Sequence, residues 1–185
     1  MALGLTERIV LLHRALSGAD LPHAFGGALA LAFCSAEPRA TKDIDVNIFV
    51  GVDRVGDVTA ALPHDVVVTN DDRSRLERDG QSRLWWGDTP VDVFLSNHPF
   101  HDRAADNRRT VTFAGVGALP VLACADLAVF KAFFARPKDE VDIATMVVAG
   151  SVDLDRLQRT VRALLGSDHE RAAFFDRVAE AIGRT

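Results

Sequence analysis

Two carboxylates set one residue apart at the mouth of an apolar run constrain this chain more than any other feature. In Asp43-Ile44-Asp45-Val46-Asn47-Ile48-Phe49-Val50 the β-branched and aromatic residues predict a strand. Successive side chains of a strand point to opposite faces, so Asp43 and Asp45 share one face while the core draws on Ile44, Val46 and Ile48. Two neighbouring acids repel. A divalent cation between them would relieve the repulsion, and ligation by oxygen alone suits magnesium or manganese. A third carboxylate on a neighbouring strand would complete a site for phosphoryl transfer, and Asp92, which interrupts the apolar strand Pro90-Val91-Asp92-Val93-Phe94-Leu95, is the best candidate. The plainer alternative makes Asp43 a turn cap and Asp45 a solvated edge residue.

Upstream, Leu21 to Phe25 reads as a short strand delivering the chain to Gly26-Gly27, and Ala28 to about Ala36 as a helix. Glycines at such a turn let the backbone approach a phosphate, and the helix would aim its amide-rich end at that anion. A strand-to-helix turn with no ligand fits the same residues.

Length and charge set the bounds. With 185 residues the chain suits one compact domain or two small lobes. A net charge of -5 argues against general charge-driven binding of nucleic acid, though not against a local basic groove. Cys34 and Cys124 stand in apolar, Ala-rich segments with no metal-ligand spacing between them, which predicts two buried free thiols and a reducing cytoplasm. Glu7 and Arg8 precede any long apolar run, so signal-peptide order is lacking, and no run is long enough to span a bilayer. A cytoplasmic protein is expected.

Along the rest of the chain, Leu5, Ile9, Leu12 and Leu16 predict an amphipathic helix ending near Ser17-Gly18. Glu37-Pro38-Arg39 belongs to an exposed connection, 55–62 to a short helix closed by Pro63, 65–70 to a strand, and 70–80 to a solvated helix or loop. Residues 82–86 and 91–95 flank Gly87-Asp88-Thr89-Pro90 as a hairpin. Its Trp85 and Trp86 point to opposite faces, one into the core and the other toward surface packing or a stacked base. Residues 97–107 read as loop, and Arg108 to Gly115 as a strand. After Pro120 the character turns helical, with Lys131 beside the stripe Leu127, Phe130 and Phe134. Pro137 opens a new helix whose first turns hold Lys138, Asp139, Glu140 and Asp142. Asp153 caps a third helix, and Ser167 with Glu170 forms a capping-box signature for the last.

Two of these segments carry a resemblance. Phe25-Gly26-Gly27 followed by Arg39-Ala40-Thr41-Lys42-Asp43-Ile44-Asp45 resembles the first motif of the polymerase-β-like nucleotidyltransferases. The run from Leu127 through Lys131 and Arg136-Pro137-Lys138-Asp139-Glu140-Val141-Asp142 is similar to the Lys … Arg-x-Lys-Asp-x-x-Asp motif of the AbiE-type and Men-type toxin branch. Gly27 stands where many relatives carry Ser.

The resemblance implies an α+β protein in which a mixed β-sheet of the minimal nucleotidyltransferase fold is flanked by helices. Residues 1–115 would be the core lobe and 116–185 a helical C-terminal lobe. It implies transfer of a nucleoside monophosphate from an NTP to an acceptor hydroxyl, in the Men-type toxins the 3′ end of tRNA, which would block aminoacylation and translation. A cognate antitoxin is the expected partner; a small molecule or protein hydroxyl is the alternative acceptor, and a catalytically idle member that only binds nucleotide or a partner is the third reading. Asp43, Asp45 and Asp92 would hold Mg2+ or Mn2+. Gly26, Gly27 and Thr41 belong to the phosphate-binding motif, with Lys131, Arg136 and Lys138 on phosphates. Asp139 and Asp142 would orient Lys131 and Arg136 by ion pairing, or one of them would serve as the base for the acceptor hydroxyl. Arg103, Arg108 and Arg109 are expected to join Lys131, Arg136 and Lys138 in flanking the acids.

Overall fold

The computed structural model describes residues 3–35, 40–113, 117–166 and 169–183. The predicted Glu37-Pro38-Arg39 connection, the strand end at Gly115 and the Ser167–Glu170 capping box lie outside the described residues. The chain forms two compact units, Met1–Leu29 with Ala40–Leu122, and Ala30–Arg39 with Ala123–Thr185.

The first unit is built on a seven-stranded mixed sheet. Its strands are β1 (His23–Phe25), β2 (Ile44–Gly51), β3 (Val66–Val67), β4 (Gln81–Trp86), β5 (Thr89–Ser96), β6 (Arg109–Val111) and β7 (Leu119–Val121), in the spatial order β3-β4-β5-β2-β1-β7-β6. The β2–β5 and β1–β7 pairs are parallel and the others antiparallel. Burial follows the period of two: Ile44, Val46, Ile48 and Val50 of β2 and Val91, Val93 and Leu95 of β5 are buried, whereas Asp45 and Asp92 are only partly so. The apolar set supplies the driving force, on the order of 1.5–3 kcal/mol per fully buried branched side chain.

Four helices belong wholly to this unit: α1 (Leu5–Gly18), α3 (Val55–Ala61), α4 (Asn70–Asp79) and α5 (Phe100–Asn107); a short helix, α2 (Gly27–Leu31), follows the double glycine. Helix α1 buries Ile9, Leu12 and Leu16, the stripe predicted from their spacing. The polar 70–80 segment forms α4 because Thr69 and Asp72 make a reciprocal cap and Gly80 closes the other end in the left-handed conformation, φ +67°.

Other expectations require correction. Residues 97–99 are loop as expected, but 100–107 are not: α5 forms because Phe100 and Ala104, one turn apart, are buried, and His98 Nδ1 accepts a hydrogen bond from the Phe100 amide, 3.1 Å. Strand β7 runs through Pro120, where only a change to helix was expected, and pairs with β1 and β6. The predicted 65–70 strand shrinks to two residues. The helix expected over 28–36 stops at Leu31, where i to i+3 bonds from the Phe33 and Cys34 amides tighten the turn, 3.0 and 2.9 Å.

The second unit is helical, with α6 (Cys124–Phe134), α7 (Pro137–Val148), α8 (Leu154–Leu165) and α9 (His169–Ile182). Helix α6 packs on α7 and α8, and α7 on α9, around Leu127, Ile143, Met146, Leu157, Val161 and Phe174, all buried. Pro137 is the first residue of α7, and the Asp153 side chain accepts from the Arg156 amide at 2.7 Å to cap α8, as their types predict. Cys34 and Cys124 are not free thiols. They form a disulfide with Cα atoms 5.5 Å apart, across 90 residues of sequence. That removes the thiol argument for a reducing compartment. Among the described residues no helix is long and apolar enough to cross a membrane.

Candidate active site

The acids stand on the face of the sheet that β2, β4 and β5 turn away from their buried residues. Asp45 lies directly beside Asp92 in the parallel β2–β5 register, and Asp92 directly opposite Arg83 in the antiparallel β4–β5 register. The result is a cross-strand row of Arg83, Asp92 and Asp45. It continues to the loop after β1, where the Gly26 amide donates to the Asp45 carbonyl at 2.9 Å. Asp43 precedes β2 by one residue and is held by Thr41, whose Oγ1 accepts from the Asp43 amide at 3.1 Å.

Arg83 closes this group. Its Nε and Nη2 donate to Asp92 Oδ1 and Oδ2, both at 2.7 Å, a fork that engages both carboxylate oxygens. The same Nη2 lies 3.7 Å from Asp43 Oδ2. The Asp92 hydrogen bonds, opposed by partial burial and reinforced by the charges of Asp92, Asp43 and Asp45, push the guanidinium pKa upward.

Gly27 is fitted to the acids in two ways. Its φ of +51° is a left-handed conformation that side chains resist, and a Cβ there would overlap the Asp45 carboxylate. Gly26 is tight as well, since its Cβ would sit 3.1 Å from Asn47 Nδ2 and 3.3 Å from Leu122. The double glycine therefore lets the backbone lie against Asp45, whereas the close approach expected of it was to a phosphate.

A second charged group lies within the helical unit. Lys131 of α6 is 5 % exposed, and its Nζ donates to Asp142 Oδ2 at 2.6 Å and to Asp139 Oδ1 at 3.4 Å. Arg136 clasps Asp139 through Nε and Nη2, 2.7 and 3.2 Å, and lies over the Phe134 ring at 4.8 Å. Burial opposes ionisation of Asp139, but the Arg136 hydrogen bonds and the Lys131 charge outweigh it and hold the carboxyl below its usual range. Asp139 and Asp142 thus pair with the cations they were expected to orient. Lys138 is exposed in the first turn of α7.

So Gly26, Gly27, Thr41, Asp43, Asp45 and Asp92 come together in the sheet unit. Lys131, Arg136, Asp139 and Asp142 come together in the helical one. The expected basic set is likewise divided, with Arg103, Arg108 and Arg109 in the first unit. Of the two tryptophans, Trp86 is buried and Trp85 is 49 % exposed, on the same β4 face as Arg83.

Neither a family model nor a curated protein sequence matches the chain. Solved structures do. A nucleotidyltransferase-like antigenic protein from Paracoccidioides brasiliensis superposes with a TM-score of 0.50 at 15 % identity, over 91 % of this chain and 90 % of that one. The antibiotic-resistance factor ANT(2'')-Ia superposes with a TM-score of 0.50 at 17 % identity, over 95 % of each chain. The fold is nucleotidyltransferase-like. Its mixed α+β architecture is the one expected from the motifs.

Whether a divalent ion suits the sheet site can be read from the donors. Asp43, Asp45 and Asp92 offer carboxylate oxygen only, the set that hard cations prefer. A cationic group already bridges two of them in the form of Arg83. Among the described residues no three His, Cys, Asp or Glu side chains are gathered around a single ion-sized point. The chemistry fits magnesium or manganese, while the present spacing fits a guanidinium. Arg83 was missed from sequence because a turn over residues 87–90 would pair it with Phe94. The tight turn Gly87-Asp88 sets Trp86 against Thr89 and hence Arg83 against Asp92.

Proposed function

We propose that the protein transfers a nucleoside monophosphate from an NTP to an acceptor hydroxyl. The observation that carries this reading is the row of carboxylates on one sheet face, with the backbone of Gly27 lying against Asp45, in a nucleotidyltransferase-like fold. Asp43 and Asp45 would hold the metal, with Asp92 as third ligand. When bound, Mg2+ or Mn2+ would supply charge neutralisation at the α-phosphoryl group and acidify the acceptor hydroxyl. The acceptor hydroxyl gives up its proton to water as its oxygen attacks the α-phosphorus, the bond to the β-phosphate oxygen breaks, and pyrophosphate leaves. Thr41 keeps Asp43 in place through that exchange, and Gly27 leaves room for the Asp45 carboxylate. Lys131, Arg136 and Lys138 are assigned to phosphates of the nucleotide or acceptor, with Asp139 and Asp142 orienting the cations, on the strength of the motif they share with the toxin branch.

The acceptor assigned here is the 3′ end of tRNA, which makes the protein a toxin restrained by a cognate antitoxin; this rests on the resemblance of the Lys131–Asp142 motif. A second reading has its own support in the likeness to ANT(2'')-Ia, described as an antibiotic-resistance factor, over 95 % of both chains. There the acceptor hydroxyl belongs to a small molecule. The test is incubation of purified protein with each labelled NTP and Mg2+, in the presence of total tRNA or of an antibiotic panel. Label on tRNA 3′ ends supports the first acceptor and label on an antibiotic the second. No transfer above that of the Asp43→Asn variant, to any acceptor, overturns the enzyme reading.

A further inference from the structure

Arg83 is set directly against two of the three acids, Asp92 and Asp43, and nothing in the reaction proposed above uses it. Its side chain is 52 % exposed, so it is not there to fill the core. Its position follows from the hairpin. In β4 the buried residues are Ser82, Leu84 and Trp86, which leaves Arg83 on the opposite face, and the two-residue turn sets it across from Asp92. Both Asp92 oxygens are taken by the fork, and Nη2 reaches toward Asp43 Oδ2.

A metal ion that took Asp92 as ligand would need at least one of the oxygens that Arg83 now holds. We propose that Arg83 is the resident counter-cation of the acid site: it competes with the divalent ion for Asp92 and yields it when ion and triphosphate enter. This rests on the reading of Asp43, Asp45 and Asp92 as metal ligands. Release is feasible because the Arg83 side chain is half in solvent, where water replaces what the guanidinium gives up. The freed guanidinium retains a fork geometry that matches phosphate oxygens as well as it matched the carboxylate. Competition of this kind makes metal binding weak in the absence of nucleotide and stronger with it.

The test is Mn2+ binding, followed by electron paramagnetic resonance and by thermal shift, in the wild type and in the Arg83→Gln, Arg83→Lys, Asp45→Asn and Arg83→Gln/Asp45→Asn variants. Arg83→Gln should bind Mn2+ at least tenfold more tightly than the wild type and gain more thermal stability from it. Arg83→Lys should fall between the two, because an ammonium keeps the charge but cannot fork. A structural role for Arg83 would move affinity the other way. Equal or weaker Mn2+ binding by Arg83→Gln, with Asp45→Asn still abolishing it, overturns the proposal and leaves the metal site standing. Mn2+ binding indifferent to Asp45→Asn in both backgrounds overturns the metal reading and the proposal together.

Discussion

Gly27 shows how little freedom a single position has at this site. An alanine there would have to hold φ at +51°, which costs on the order of 1–2 kcal/mol, and its methyl would push the Asp45 carboxylate aside. Gly27→Ala is therefore expected to cut nucleotidyl transfer by roughly a hundredfold while lowering stability only modestly. Single-turnover rates set beside urea midpoints would separate the two effects. His23 is a second constrained residue, remote from the acids in sequence. It is 4 % exposed, its Nδ1 bonds to the Leu21 carbonyl at 2.8 Å, and its Nε2 meets His13 Nδ1 at 2.9 Å. Burial, and to a lesser degree the His13 and Arg108 charges, bring its pKa down to about 4 against the one backbone bond that favours its charged form. The unfolded chain takes up that proton near pH 6.5 and the folded chain only near 4, so stability is full above 6.5 and falls as pH drops through that window. The loss amounts to about 3 kcal/mol at its lower end. Urea melts of the wild type and of His23→Phe between pH 7 and 4 should diverge accordingly, and parallel curves would remove His23 as the cause.

At the scale of elements, the disulfide joins the turn that follows α2 to the first residue of α6. Closing a loop of 90 residues restricts the unfolded chain far more than the folded one, and is worth about 2–4 kcal/mol. Reduction with dithiothreitol should lower the unfolding free energy obtained from urea melts by that amount, and the Cys34→Ala/Cys124→Ala variant should match the reduced protein. Neither cysteine's local sequence announced this. Each sits in an apolar Ala-rich segment, and a bond across so long a separation depends on where the backbone brings the two Cβ atoms. Helix α5 was obscured for a related reason. Its residues are mostly polar, and the apolar pair Phe100 and Ala104 is too short a pattern to distinguish from loop without the surface that buries it.

For the molecule as a whole, charge is the quantity that separates the two acceptors. A chain with net charge -5 that binds tRNA must do so through a few local phosphate contacts. For about three contacts with a single-stranded end, raising salt from roughly 50 to 200 mM should weaken acceptor binding on the order of tenfold. A neutral or small acceptor would show much less. Measuring the KM for acceptor at both salt concentrations discriminates the readings. The same division between local pattern and assembled shape governs what could be read in advance. The residues by themselves determined most of the strands and helices, though not α5 or β7, that Asp45 stands on the face opposite Ile44 and Val46, and that Gly26-Gly27 makes a close backbone turn, because these follow from periods of two and 3.6 and from the missing Cβ. Asp92 could be named as a partner because it breaks an apolar strand. Packing in three dimensions settled who stands next to whom: Asp45 beside Asp92, Arg83 forked onto Asp92, Lys131 buried between Asp139 and Asp142, Cys34 bonded to Cys124. Strand register, turn length and helix packing are settled by burial summed over many residues, and a shift of two in one hairpin leaves every face unchanged while exchanging every neighbour.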